Sequence, residues 1–151
     1  MCIRDSPYVM AAMDQFLTQL DAPACADIYK DLDQVWNGRA AALNARLRDA
    51  GLPVQVANLS SIWTVLYTRP SRYNWMLQFY LRSHGLALSW IGTGRLIFSL
   101  NYTEDDFAAV ADRFVAAAAE MEKDGWWSSD PATTNRSIKR SLLKEMLAHR
   151  F

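Results

Sequence analysis

The sequence predicts an α+β fold, with helices packed on a small, mostly antiparallel sheet of about four short strands. Apolar residues three and four positions apart mark helices at both ends of the chain. Between them lie short β-branched and aromatic runs separated by turn residues. A chain of 151 residues that is 51% apolar is large enough to bury one ordinary core.

The N-terminal part is predicted to be helical. Residues 8–20 form one helix opened by Pro7, because proline is favoured in a first turn. A longer helix follows and ends at Gly51, and Pro53 prevents it from resuming. Its predicted inner stripe consists of Ile28, Leu32, Val35, Trp36, Leu43 and Leu47.

The middle of the chain is predicted to hold the sheet. The four strand-like runs are "PVQVANLS", "SIWTVLYT", "LALSW" and "RLIFSL". A short helix between the second and third runs ends at Gly85, and its predicted buried side comprises Trp75, Met76, Phe79 and Tyr80.

The glycine segment Gly92-Thr93-Gly94 is predicted to be a hairpin-type turn. A phosphate cradle feeds its free N–H groups into a helix N-terminus, whereas this segment leads into a strand. The turn presents Arg95 at the start of an apolar strand. Arg95 is therefore either a structural salt-bridge partner at the sheet edge or a receiver for a substrate carboxylate.

The C-terminal part is predicted to be two helices. Thr103 or Asn101 caps the first, acidic residues fill its first turn, and Gly125 ends it. Its predicted inner stripe is Phe107, Val110, Phe114, Val115 and Met121. A linker and a terminal amphipathic helix follow, and Trp126-Trp127 is expected to pack against another domain.

Composition narrows the class of function. Sixteen basic and sixteen acidic residues balance, which argues against nucleic acid or an anionic membrane as the main partner. The mild basic cluster at Arg136, Lys139, Arg140 and Lys144 is predicted to be a solvated helix face. Two cysteines and no signal-peptide pattern favour a reduced, cytoplasmic setting.

No complete active site is visible in the sequence. His84 fits a cation at a helix C-terminus, and neither it nor His149 has the companions of a triad or metal site. Cys25 has no assigned chemistry either. We therefore assign no catalytic, cofactor-binding or metal-binding residue.

The order of elements resembles a known family. The run "GLALSW…GRLIFSLNYTEDDFAAVADRFVAAAAEM" is similar to the C-terminal end of class-III, fold-type-I pyridoxal-phosphate aminotransferases, especially the glutamate-1-semialdehyde aminomutase-like branch. "SSIWTVLY" resembles that branch's Gly-Ser-Met-Phe strand, with Ser61 at the serine and Trp63 at the aromatic residue. "PYVMAAM" resembles the family's Asn-Pro-x-x-Met-Ala-Ala helix start. The resemblance spans residues 7 to about 127.

The resemblance implies a parent enzyme that transfers an amino group through a Schiff base between pyridoxal phosphate and a lysine. It implies a missing large cofactor-binding domain, an amine or amino acid substrate, and a homodimer. Residues 52–125 would be the small C-terminal domain, with 7–51 as connecting helices and 126–151 as linker and terminal helix. Arg95 would meet the substrate carboxylate or an acidic gate residue, and Ser61 and Trp63 would line the entrance.

The departures from the family limit what this chain does alone. Its four lysines lie on predicted helices, and the cofactor segments are missing, so we expect no bound pyridoxal phosphate and no activity. "MCIRDS", residues 1–6, looks like a non-native start. Gly94 stands where semialdehyde aminomutases carry a glutamate, which favours an aminotransferase. Two alternatives stay open: an aminomutase fragment, and a self-contained α+β binding module with tryptophans lining its pocket.

Overall fold

The computed structural model describes residues 6–87, 95–127, 130 and 132–148, and it has the predicted α+β class. The chain divides into two compact units, Met1–Val35 and Trp36–Phe151. The helices are α1 (Pro7–Leu20), α2 (Pro23–Lys30), α3 (Leu32–Asp49), α4 (Leu77–Ser83), α5 (Glu104–Lys123) and α6 (Asn135–Ala148). The strands are β1 (Val54–Leu59), β2 (Ile62–Tyr67) and β3 (Arg95–Ile97).

The first unit contains α1, α2 and the start of α3. Helix α1 begins at Pro7, as predicted, and none of its residues is buried. The single long helix predicted next is wrong, because the chain breaks at Asp31 into α2 and α3. Ile28 lies before the break and is exposed. Val35 is also exposed, because it stands one position before Trp36 on α3 and so on another side of that helix from the buried Trp36, Leu43 and Leu47.

The sheet lies in the second unit and is antiparallel, in the order β1-β2-β3. A two-residue turn, Ser60 and Ser61, joins β1 to β2. Of the predicted strand "LALSW", Leu86 and Ala87 are described and are not in a strand, whereas residues 88–90 lie outside the described residues. The predicted turn at 92–94 also lies outside them.

An aromatic cluster fills the space between one face of the sheet and the helices α3 and α5. Trp36 on α3 meets Trp63 on β2 at 6.1 Å between ring centroids, edge to face. Phe107 on α5 lies 5.3 Å from Trp63, and Phe98 lies 5.2 Å from it. These geometries are the favourable tilted and T-shaped ones. The carboxamide of Asn44 on α3 exchanges two hydrogen bonds of 2.8 Å with the backbone of Val56, which satisfies the edge of β1.

Helix α5 matches its prediction closely. Thr103 is the cap, with a reciprocal hydrogen-bond pair to Asp106, and Gly125 follows the helix in a left-handed conformation at φ 78°. The predicted inner stripe is buried except for Val115, which is half-buried.

Helix α4 presents a different side from the one predicted. Trp75 and Phe79 are 56% and 51% exposed, and Leu77 and Leu81 are buried instead. Trp75 lies in a 3₁₀ turn, Asn74–Met76, that precedes α4, and within α4 the residues four apart, Leu77 and Leu81, form the buried side.

The tryptophan pair after α5 packs inside this unit, so the expectation that both meet another domain is wrong. Trp127 is buried, its indole N–H donates to the Ala118 carbonyl at 2.9 Å, and its ring contacts Tyr67. Trp126 packs on Tyr73. Among the described residues, no helix is both long enough and apolar enough to cross a membrane.

Candidate functional site

The side of the sheet that faces away from the aromatic cluster carries an exposed apolar row, which we call the open face. Leu59, Ile62 and Ile97 lie side by side across the three strands, because Leu59 pairs with Ile62 and Ile62 with Ile97. They are 77%, 48% and 72% exposed. A row of large aliphatic side chains on a sheet face is the kind of surface that a partner normally covers.

Arg95 lies on the same face, one row along. It pairs with Thr64 across β2 and β3, it is exposed, and it forms no ion pair with any described residue. Of the two interpretations that the sequence allows, the salt bridge at the sheet edge therefore finds no support among the described residues. A guanidinium without an ion pair has its donors available for a carboxylate, which it can bind through two parallel hydrogen bonds.

The other two predicted site residues do not join Arg95 on this face. Trp63 is 1% exposed and points into the aromatic cluster, where its indole N–H donates to the Ser60 carbonyl at 3.1 Å. Ser61 is half-buried in the turn, and its carbonyl accepts a bond of 3.0 Å from the Phe98 N–H. That Trp63 and Ser61 line an entrance stays a prediction; in this chain Trp63 is a core side chain.

Ser60 is a feature that the sequence reading missed. Its φ is 51°, in the left-handed region, and its hydroxyl is buried without a hydrogen-bond partner among the described residues. Both properties are unfavourable for serine, and the Gly-Ser-Met-Phe motif that this segment resembles has glycine at this place. The signal was available in that motif, where the residue before the serine is glycine.

A second arginine, Arg39, provides the contrast to Arg95. Arg39 on α3 is 8% exposed and donates to the Glu104 carboxylate at 2.6 and 3.1 Å and to the Tyr102 carbonyl at 2.9 Å. Its guanidinium also lies 4.7 Å from the Trp36 ring centroid. Arg39 therefore links α3 to the start of α5, and its contacts serve the fold.

Other clusters of polar groups have structural roles. His84 pairs with Glu120 at 2.6 Å, and the Tyr80 hydroxyl donates to Asp124 at 2.6 Å, so both link α4 to α5. The Asp124 hydrogen bond raises the pKa of Tyr80 to about 12. No described group of three or more His, Cys, Asp or Glu could hold a metal ion.

A groove of about 320 Å³ lies between the β2–α4 connection and α6. No tryptophan contributes to its walls, so it does not supply the tryptophan-lined pocket of the binding-module alternative. The groove is lined by Pro70, Ser71, Arg72, Tyr73, Asp130, Thr133, Ser137, Ile138 and Ser141.

Comparison with known proteins finds similarity of fold alone. No family model matches the sequence, and no curated protein matches it. Among solved structures, the chain is similar to a transaminase with PLP bound, at TM-score 0.57 and 21% identity over 71% of this chain. It is also similar to an omega-transaminase from Sphaerobacter thermophilus, at TM-score 0.55 and 21% identity over 70% of the chain. In both cases the match covers 26% of the transaminase chain, so this chain spans about a quarter of their length.

The described residues do not by themselves fit pyridoxal phosphate. A Schiff-base lysine is held in a desolvated site where its basicity is depressed, next to a cradle of phosphate donors. All four lysines of this chain, Lys30, Lys123, Lys139 and Lys144, are exposed on helices. None of the four therefore lies in such a site in this structure.

Proposed function

We propose that this chain is the small C-terminal domain of a class-III, pyridoxal-phosphate-dependent aminotransferase of the glutamate-1-semialdehyde aminomutase-like branch. The parent transfers an amino group from a donor amine or amino acid to a keto or aldehyde acceptor. We further propose a cytoplasmic, homodimeric parent, and no activity for this chain alone. The fold shared with about a quarter of two transaminases supports the proposal.

The open face is the observation that carries the proposal. One side of the sheet is closed by α3 and α5, whereas Leu59, Ile62 and Ile97 on the other side meet solvent. A finished domain seldom leaves such a row on a sheet uncovered. The large cofactor-binding domain is the proposed cover, and it places the cofactor site next to the sheet.

Arg95 is the proposed substrate contact. It stands on the open face next to the apolar row and has no ion pair among the described residues. Facing the large domain, its guanidinium would receive the substrate carboxylate or an acidic gate residue in a two-pronged hydrogen-bonded pair. Ser61 lies at the end of the same sheet, in the turn that leads into β2.

Gly94 supports aminotransfer over aminomutase chemistry, because an aminomutase of this branch carries a glutamate there. Its structure lies outside the described residues. The proposal therefore rests on the residue type alone.

Hydrophobic dye binding and sedimentation of the chain test the open face. The proposal expects self-association and strong fluorescence of anilinonaphthalene sulfonate, both reduced by the double substitution Ile62→Lys and Ile97→Lys. The matched control, Leu143→Lys with Leu147→Lys, removes two exposed apolar side chains of α6 and should leave most of both signals. A monomer that binds no dye would instead favour the self-contained module.

A further inference from the structure

Helix α6 contributes no buried side chain to the core of its unit. Ile138 is half-buried, and every other described side chain of α6 is exposed. Helix α5, in contrast, buries residues along its length, from Phe107 to Met121. Because the core contains no side chain of α6, it keeps all of its members when α6 moves away.

The space beneath α6 is not filled by side chains. A groove of about 320 Å³ separates α6 from the β2–α4 connection, with Pro70 and Tyr73 on one wall and Ser137, Ile138 and Ser141 on the other. Well-packed protein interiors leave few voids larger than a water molecule. Packing against the connection therefore contributes little to holding α6 in place.

An ion pair, which we call the latch, joins α6 to the β2–α4 connection. Arg72 donates to both oxygens of the Glu145 carboxylate, at 3.0 and 2.8 Å, and Ser141 donates to the same carboxylate at 3.1 Å. The side chains of Arg72 and Glu145 are 42% and 45% exposed. An ion pair this accessible to water gives a modest attraction that salt screens.

The two partners of the latch belong to different parts of the unit. Arg72 is held on the body of the unit, since its guanidinium lies 5.9 Å from the ring centroid of Tyr73, which in turn packs on Trp126 at 5.3 Å. Glu145 lies ten residues after Asn135, the first residue of α6, and so about 15 Å along the helix. The chain therefore enters α6 at one end, and the latch lies near the other.

We propose that α6 is a strap that opens and closes over the β2–α4 connection while the rest of the unit stays folded. The closed state is the one described above, and the latch stabilises it. Rising ionic strength weakens the latch and lowers the closed fraction. The inference is independent of the proposed transaminase role, because the family resemblance ends at about residue 127 and α6 begins at Asn135.

Hydrogen–deuterium exchange of the full 151-residue chain, followed by mass spectrometry, tests the strap. A helix of 14 residues is only marginally stable on its own, so the amides of α6 exchange when the strap opens. We expect α6 peptides to exchange at least about tenfold faster than α5 peptides. Raising the salt concentration from low to molar should accelerate α6 a further two- to fivefold, by rough estimate, and leave α5 unchanged.

The substitution Arg72→Gln tests the latch without changing the sequence of α6. Since Arg72 lies outside the helix, its loss leaves the intrinsic helix propensity of α6 as it was. Exchange of α6 at low salt should rise by roughly the same two- to fivefold, and its dependence on salt should disappear. Arg46→Gln is the matched control, because it removes another exposed ion pair, Arg46 with Asp112, that links α3 to α5. It should leave α6 unchanged.

Three results would each overturn the proposal. One is exchange of α6 and α5 at equal rates at every salt concentration, which would mean that α6 opens only when the whole unit unfolds. The second is exchange of α6 in Arg72→Gln with the rate and the salt dependence of the wild type. The third is equal acceleration of α6 by Arg46→Gln.

Discussion

The two faces of the three-stranded sheet are built from the same strands but satisfy different requirements. The closed face carries Trp63 and Leu96 against an aromatic cluster, and its one buried charge, Arg39 on the covering helix, has a carboxylate, a carbonyl and two aromatic rings as partners. The open face carries Ile62, Ile97 and an unpaired Arg95. The closed face therefore holds most of the packing of this unit, whereas the described side chains of the open face contribute little to it.

The largest contrast is expected between Trp63 and Ile97. Trp63→Ala should lower the free energy of unfolding by about 3–5 kcal/mol, since it empties the centre of the cluster and removes the hydrogen bond to Ser60. Ile97→Ala should change it by about 0.5 kcal/mol or less, because that side chain is mostly exposed. Urea unfolding of both variants measures the difference. Equal losses would mean that the open face also holds the fold together.

Loss of the buried Arg39 should likewise cost more stability than loss of the exposed Arg95. Arg39→Ala should cost about 2 kcal/mol, because it removes a charge-assisted pair and the contact with Trp36. Arg95→Ala should cost no more than about 0.5 kcal/mol. Thermal or urea unfolding of both variants measures the two losses. A large loss of stability in Arg95→Ala would indicate that Arg95 has a structural partner, which would contradict its proposed role in binding.

Helix α5, on the closed side, was predictable because its signals are local. The Thr103 cap, the acids of the first turn and the glycine after the last turn are all short-range features, and the structure has each of them. The hairpin of β1 and β2 was likewise predictable from β-branched runs. The same local signals could not predict the open face. Which face of the sheet is covered depends on where helices from distant parts of the chain pack.

Phase errors explain most of what the sequence reading got wrong. A single residue at Asp31 breaks a helix that the apolar repeat suggested was continuous. On α4 the buried side is that of Leu77 and Leu81, whereas the prediction placed it at Trp75 and Phe79. The break at Asp31 has no strong sequence signal, and α4 carries large apolar residues on more than one side, so the sequence does not decide which side is buried.

A substitution in the turn that joins β1 to β2 should stabilise the fold. Ser60→Gly should raise the free energy of unfolding by about 1 kcal/mol, because glycine adopts a φ of 51° without strain and removes a buried hydroxyl that has no partner. Ser61→Gly, one residue along, is the control and should not stabilise. A Ser60→Gly variant that is less stable than the parent would show that the hydroxyl has a favourable contact.

The smallest effect is a dependence on pH at the cap of α5. Hydrogen bonds from the Thr103 backbone N–H and hydroxyl hold the pKa of Asp106 below its ordinary value of 3.8. A carboxyl with a lowered pKa in the folded state stabilises the fold above pH 3.8, and that stabilisation is lost as the pH falls through the folded-state pKa. The wild type should therefore exceed Asp106→Asn in stability near neutral pH, and the difference should shrink at acidic pH. A difference that is constant from neutral to strongly acidic pH would rule out this linkage.

The most direct test of the proposed role of the open face is a kinetic comparison of two amino donors. It uses the longer polypeptide that the proposal requires, in which a lysine-bearing cofactor domain precedes this chain. We expect Arg95→Ala to raise the KM of an amino acid donor at least about tenfold and to leave the KM of a donor without a carboxylate unchanged. Arg48→Ala is the control and should change neither. Equal effects on both donors, or an upstream frame without such a domain, would contradict the assignment.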